Sequence, residues 1–201
     1  MNIGFLASHN GSNMQAIINA CNSGKLKTSP AVVISNNGSS GALSRAKQEG
    51  IPWYHISGKT HPDSGELDQA ILDAMLEHKV DVIVLAGCMK KLGKRTLSRF
   101  AGHILNIHPA LLPKFGGKGM YGRHVHEAVI GAGETESGVS IHIVDAEYDT
   151  GPVIAQAHVP VEPTDTAETL AERILQREHT FFPETLQKIV DGEIMLPAKD
   201  K

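Results

Sequence analysis

The chain is poor in cysteine. Only Cys21 and Cys88 occur among 201 residues, far apart and without CxxC spacing, which supports neither a disulfide framework nor a structural zinc site and fits a reducing cytoplasm. An excess of positive charge is also missing: the formal net charge is −3, which argues against a general nucleic-acid footprint. No apolar run approaches the length that crosses a bilayer, so no membrane partner is expected. The apolar start Met1-Asn2-Ile3-Gly4-Phe5-Leu6-Ala7 lacks a basic leader and a long hydrophobic region, so it reads as a first strand and not a signal peptide. Internal repeats and low-complexity segments are absent. So are GxGxxG and HExxH, which removes the usual marks of a dinucleotide site and of a zinc hydrolase. With 41% hydrophobic residues, the length suits one sizeable core, and residues 1–201 are expected to form one domain.

What is present alternates between two periods. Residues 3–7, 31–35, 51–56 and 80–87 are strand-like, and the last of these is continuously apolar from Val82 onward, as in a parallel sheet covered on both faces. Between them, Met14, Ile17, Ile18 and Cys21 fall at i, i+3, i+4 and i+7, one face of a helix that Ser12 or Asn13 is placed to cap. Residues 41–49 predict a short helix, and Leu67, Ile71, Ala74 and Met75 mark a further helical face. A strand follows that ends at Asn106, then a glycine-rich loop over residues 112–122 and a helical turn or two over 126–131. Residues 137–144 and 152–159 predict two strands, antiparallel because their connection is short. The last helix starts near Asp165-Thr166-Ala167-Glu168, which has capping-box spacing, with Leu170, Ile174, Phe181 and Leu186 inward and a kink or interruption at Pro183. The class is α/β with a mostly parallel sheet.

Asn106-Ile107-His108-Pro109 organises the chemistry. Asn106 and His108, two apart at a strand tip, point into one cleft, where α/β sheets place their sites. A satisfied strand-end histidine is the plain alternative. Tyr148-Asp149-Thr150-Gly151-Pro152 offers a carboxylate for the imidazole, although Asp-Thr-Gly is also ordinary turn chemistry. Gly11-Ser12-Asn13 at a helix start offers backbone N–H groups and the positive end of a helix dipole to a phosphate; a capped turn accounts equally for the local pattern. The second strand ends in Ser35-Asn36-Asn37 and not in the acid that holds a ribose, which argues against NAD. His108, His124, His126 and His142 show no clustered ligand spacing, so no metal is expected. Cys88 reads as a small apolar strand-end residue, and Lys90, Lys91, Lys94 and Arg95 as a solvated face.

Taken together, several segments resemble the folate-dependent phosphoribosylglycinamide formyltransferases of the formyltransferase superfamily, over nearly the whole chain. These are Asn10-Gly11-Ser12-Asn13-Met14-Gln15-Ala16-Ile17, Val84-Leu85-Ala86-Gly87-Cys88-Met89, Leu105-Asn106-Ile107-His108-Pro109-Ala110-Leu111-Leu112-Pro113, Gly138-Val139-Ser140-Ile141-His142, Asp149-Thr150-Gly151-Pro152-Val153-Ile154 and Glu178-His179. The resemblance implies a Rossmann-like sheet flanked by helices, with an antiparallel C-terminal strand pair and a long C-terminal helix. It implies transfer of a formyl group from 10-formyltetrahydrofolate to the amine of phosphoribosylglycinamide in purine synthesis. Matched residue by residue, Asn106, His108 and Asp149 are the catalytic trio: Asn106 stabilises an oxyanion, His108 moves protons, and Asp149 orients His108 and raises its pKa. Gly11, Ser12 and Asn13 are implied to hold the phosphate, and Leu175, Gln176, Arg177 and Glu178 to face the ribose and glycinamide. Met89, Lys90, Lys91 and Leu92, with Asn106 and the turn Asp145, Ala146, Glu147, Tyr148 and Asp149, are implied to cradle the folate. Many members carry an arginine near the helix that begins around Ser64-Gly65; this chain has none, so Lys118 or Arg123 on the glycine-rich loop is expected to meet the folate carboxylates.

A methionyl-tRNA formyltransferase is expected to carry a further C-terminal domain and more basic surface, and a formyltetrahydrofolate hydrolase an additional N-terminal one. Formyl transfer to another phosphorylated amine, a non-catalytic sugar-phosphate binding module and a metal-dependent hydrolase are the other readings. Monomer and homodimer both stay open.

Overall fold

The computed structural model describes residues 1–88 and 90–198. Among these residues thirteen elements follow one another as β1 (Asn2–Leu6), α1 (Ser12–Asn22), β2 (Ser29–Ser35), α2 (Gly41–Gln48), β3 (Trp53–His55), α3 (Ser64–Glu77), β4 (Val82–Leu85), α4 (Lys94–Arg99), β5 (Ile104–His108), α5 (Arg123–Gly131), β6 (Glu136–Ile143), β7 (Val153–Pro160) and α6 (Ala167–Val190). The sheet runs β3-β2-β1-β4-β5-β6-β7. Its first five strands in that order are parallel, and β6 and β7 are antiparallel to their neighbours, so the α/β class and the antiparallel C-terminal pair hold.

The apolar runs are explained by two cores, one on each face. Alternate residues of a strand point to opposite faces. In β4, Val82 and Val84 join Ile3, Phe5 and Leu105 beneath α1 and α6, while Ile83 and Leu85 join Val32, Ile34 and Ile104 beneath α3. Burying such a side chain stabilises by about 1.5–3 kcal/mol, so a one-residue slip, which exchanges the faces, would disturb both cores at once.

The helices depart from expectation in three places. Gly11, with φ of 70°, occupies the N-cap of α1, and neither Ser12 nor Asn13 caps it; a β-carbon at Gly11 would lie 2.9 Å from that of Ala42. The capping box of α6 falls one residue later than expected, on Thr166 and Thr169, because Asp165 accepts both guanidinium nitrogens of Arg173 at 2.6 and 2.8 Å. Helix α6 also continues through Pro183, whose flanks Phe181, Phe182 and Leu186 are buried; the packing holds both sides of the missing hydrogen bond. None of the described helices is long and apolar enough to cross a membrane.

Candidate active site

The sheet order reverses between β1 and β4, so the crevice beyond their C-terminal ends is where this topology gathers loops. A cleft of about 650 Å³ opens there, lined by Asn13, Leu85, Asn106, His108, His126, His142, Asp149, Glu178 and the loop residues 117–122, among others. That is within the size range of small-molecule sites, roughly 300–1,000 Å³.

Antiparallel pairing of β5 with β6 sets Asn106 opposite His142, and Asn106 Nδ2 lies 3.1 Å from His142 Nε2. His142 Nδ1 meets the carbonyl of Ile143 at 3.0 Å and therefore carries a proton. Its Nε2 serves one neighbour at a time: as a lone pair it accepts from Asn106, and as N–H it donates to Asp149 Oδ1, 3.4 Å away. His108, only 3% exposed, places Nδ1 3.6 Å from Asp149 Oδ2 and donates from Nε2 to the carbonyl of Phe115 at 2.8 Å. The N–H of Gly117 donates to Asp149 Oδ2 at 3.0 Å. Phe115 and Asp149 both adopt left-handed backbone, at φ of 55° and 56°. Asp tolerates this region, but a bulky Phe rarely does, and strain of this kind gathers at working sites.

The pKa directions follow from burial set against charge. Burial lowers the His108 pKa and outweighs the upward pull of Asp149 and of the Phe115 carbonyl, with His142 adding a smaller downward push. Asp149 raises the His108 pKa, in the expected direction, but desolvation is the larger effect and the net shift is downward. Burial pushes the Asp149 carboxyl up, yet the His142 hydrogen bond, His108, the Gly117 N–H and the His142 charge together bring it below the ordinary carboxylate range.

At the α1 end of the cleft, Asn13 Nδ2 donates to Glu178 Oε2 at 2.8 Å. Glu178 occupies the buried stripe of α6 with Ile174 and Phe181, and burial lifts its pKa to about 7 despite the Asn13 bond. Leu175 joins it in the lining; Gln176 and Arg177 do not. Four consecutive helical residues cannot face one side, and Arg177 bonds outward to Thr180 and Glu184. Ser12 instead lines a neighbouring groove between α1 and α6.

The other wall carries Lys90, Lys91, Leu92 and the turn from Asp145 to Tyr148, while Met89 lies outside the described residues. Lys91 is bound down and not simply solvated: its Nζ meets the Ala146 carbonyl at 2.9 Å and Glu147 at 3.0 Å, and lies over the Tyr148 ring. Arg123 forms ion pairs with Glu127 and Glu168 at 2.6 Å each, so it is already engaged by carboxylates of this chain. Lys118 stands exposed on the cleft rim. Among the described residues no group of three or more His, Cys, Asp or Glu side chains is arranged to hold a metal ion.

The formyl transferase family model matches residues 1–186. The chain belongs to the formyl transferase family. Phosphoribosylglycinamide formyltransferase of Haemophilus influenzae is 41% identical over 194 residues, 96% of this chain and 89% of that protein. Its Escherichia coli counterpart is 38% identical over 98% of this chain and 90% of its own length. The crystal structure of glycinamide ribonucleotide transformylase 1 from Symbiobacterium toebii superposes with a TM-score of 0.90 at 35% identity, covering 99% of this chain and 92% of that one. A formyltetrahydrofolate deformylase from Pseudomonas syringae, 24% identical, shares the fold with a TM-score of 0.85 over 98% of this chain and 64% of its own. The chain is thus a formyltransferase, a transferase with the fold of that family.

Two features of this family member lie beyond what the sequence alone points to. His142 becomes a site residue only through the β5–β6 register, which no local pattern discloses. The Phe115 carbonyl on His108 depends on the path of the glycine-rich loop. Glu178, already expected in the site, also carries a local cue: an acid standing at i+4 from Ile174 in an apolar stripe.

Proposed function

We propose that this formyltransferase moves the formyl group of 10-formyltetrahydrofolate to the amine of phosphoribosylglycinamide in purine biosynthesis. The observation that carries the reading is the convergence of Asn106, His108 and Asp149 on one cleft, in a chain about 40% identical along nearly its whole length to enzymes of that name. Residues 1–201 are read as one domain, acting in the cytoplasm on small molecules, with no nucleic acid, membrane or metal.

The donor suits the wall of Leu85, Leu92, Leu97 and Val144 with residues 90–92 and 145–148 beside it, an apolar slot for a flat heteroaromatic ring. The acceptor's phosphate suits the start of α1, where Gly11 brings no side-chain cap and leaves helical N–H groups for an anion. Asn13 and Glu178 take the polar part between.

Proton movement falls to His108. Once its Nε2 leaves the Phe115 carbonyl, the ring proton moves to Nδ1 to face Asp149, and the Nε2 lone pair faces the acceptor amine. A lowered pKa keeps that lone pair free near neutral pH, so His108 begins as a base. The amine nitrogen bonds to the formyl carbon, the carbonyl electrons move onto oxygen, and the amine proton passes to His108. Asp149 then stabilises the imidazolium. Asn106 keeps one amide N–H for the oxyanion while the other meets His142. When the oxyanion collapses, the bond from the carbon to the folate nitrogen breaks, and His108 returns the proton to that nitrogen.

The test is release of deformylated folate from the formyl donor with and without phosphoribosylglycinamide. Release that requires the amine and falls by about 10²–10⁴ in His108→Ala and Asp149→Asn supports the reading. Release without the amine identifies a hydrolase instead, and no release with either refutes the transfer.

A further inference from the structure

The proposed chemistry leaves one buried histidine of the cleft without work. His126, on α5, is 5% exposed and lines the same cavity as His108. Its Nδ1 is buried with no hydrogen-bond partner among the described residues. Natural interiors rarely leave such a group unmatched without reason. Among the described residues no partner bonds the other ring nitrogen either, and that nitrogen is not among the buried unpartnered atoms, which leaves Nε2 as the one open to the cleft.

The tautomer follows from desolvation. A protonated ring would bury an unpaired N–H at Nδ1 together with a charge, the costlier arrangement. Burial, and secondarily the charge of His108, lower the His126 pKa, consistent with a neutral ring. In the neutral ring the lone pair belongs at the sealed Nδ1 and the proton at Nε2. His126 is then a fixed, uncharged donor beside His108. An acceptor of the glycinamide type has a carbonyl on the carbon next to the one that bears its amine. When the amine meets His108, that carbonyl oxygen is the neighbouring group in need of a donor. Asn13 Oδ1, also buried and unpartnered, offers the opposite polarity to the N–H groups of the same molecule.

We propose that His126 is an acceptor-binding residue whose Nε2–H donates to the carbonyl oxygen adjoining the attacking amine, and so fixes the amine in front of the formyl carbon. This rests on the acceptor reading given above. The competing account is a buried histidine that merely packs α5 against the sheet.

The experiment is calorimetric titration of phosphoribosylglycinamide into the wild-type protein and into His126→Leu, His126→Gln and His126→Asn, with steady-state kinetics for both substrates. Gln places its amide N–H near Nε2, whereas Asn places it near the sealed Nδ1. Expected are a loss of acceptor affinity of roughly tenfold in the Leu and Asn variants, from an oxygen left unpaired, and recovery to within about threefold in the Gln variant. The KM for the formyl folate should stay within about twofold throughout. Equal acceptor affinity in wild type and Leu, or equal behaviour of Gln and Asn, would overturn the assignment; comparing the two amides decides the matter even if the Leu variant does not fold. A wild-type protein that transfers formyl and binds the acceptor while the variants are unchanged sinks only the role of His126. A wild-type protein that does not bind phosphoribosylglycinamide sinks the acceptor reading itself.

Discussion

Glu178→Gln should make the protein more stable at alkaline pH and leave it nearly unchanged in acid. The carboxyl is 7% exposed, and burial raises its pKa from 4.5 to about 7. An acid whose pKa is higher in the folded chain holds its proton more tightly there than in the unfolded one, so folding loses free energy as pH rises through that interval. The shift corresponds to about 3 kcal/mol, absent below pH 4.5, complete above pH 7. Glutamine is neutral throughout and keeps an oxygen for the Asn13 amide, which now donates to Glu178 at 2.8 Å. Urea denaturation of both proteins across roughly pH 4 to pH 9 isolates the effect, since every other group titrates in common. The stability difference should climb by about 3 kcal/mol in favour of the variant and then level off. A difference that stays flat with pH, or a variant less stable than the parent in alkali, would show that the carboxylate is solvated or paired in the folded protein and that the argument from burial is wrong.

Two further outcomes follow from the same structure. Arg173 holds the Asp165 carboxyl well below the usual carboxylate range, so its stabilisation is present above the unfolded pKa of 3.8 and is lost as pH falls through the depressed value; Asp165→Asn should lower the melting temperature at pH 7, with the gap narrowing in strong acid, as followed by circular dichroism. A β-carbon at Gly151 would run into the carbonyl oxygen of Ile143, and Gly151→Ala should cost about 1–3 kcal/mol and reduce kcat by displacing Asp149 two residues earlier; urea unfolding and turnover with unaltered midpoint and rate would contradict this.

The parts of the fold that local pattern discloses are those with a strong period. The all-apolar stretch ending in Leu85 foretells a strand covered on both sides, and the cores above and below it take its alternate residues. Asn106 and His108 announce themselves in the same way, two apart at a strand end. Boundaries fare worse where two local devices compete. Asp165 has the spacing of a cap but is claimed by Arg173, and Thr166 caps instead. What stays hidden is non-local. The pairing that brings His142 to Asn106 spans 36 residues, and the fate of Arg123 depends on Glu168, from a different helix. The sign of the His108 shift is hidden for another reason: a neighbouring carboxylate can be inferred from a motif, whereas the depth of burial that outweighs it is a property of the assembled molecule.

The bond from His108 Nε2 to the carbonyl of Phe115 gives the protein an internal competitor for its own imidazole. Under the mechanism proposed above, the nitrogen assigned to the amine is occupied while that peptide oxygen is in place, and only the fraction of molecules that has released it is competent to react. Apparent affinity for the acceptor is then the intrinsic affinity scaled by that fraction. On that mechanism reactivity would be metered by a backbone group that no side-chain substitution removes, and the glycines that set the path of the loop would acquire a say in the rate.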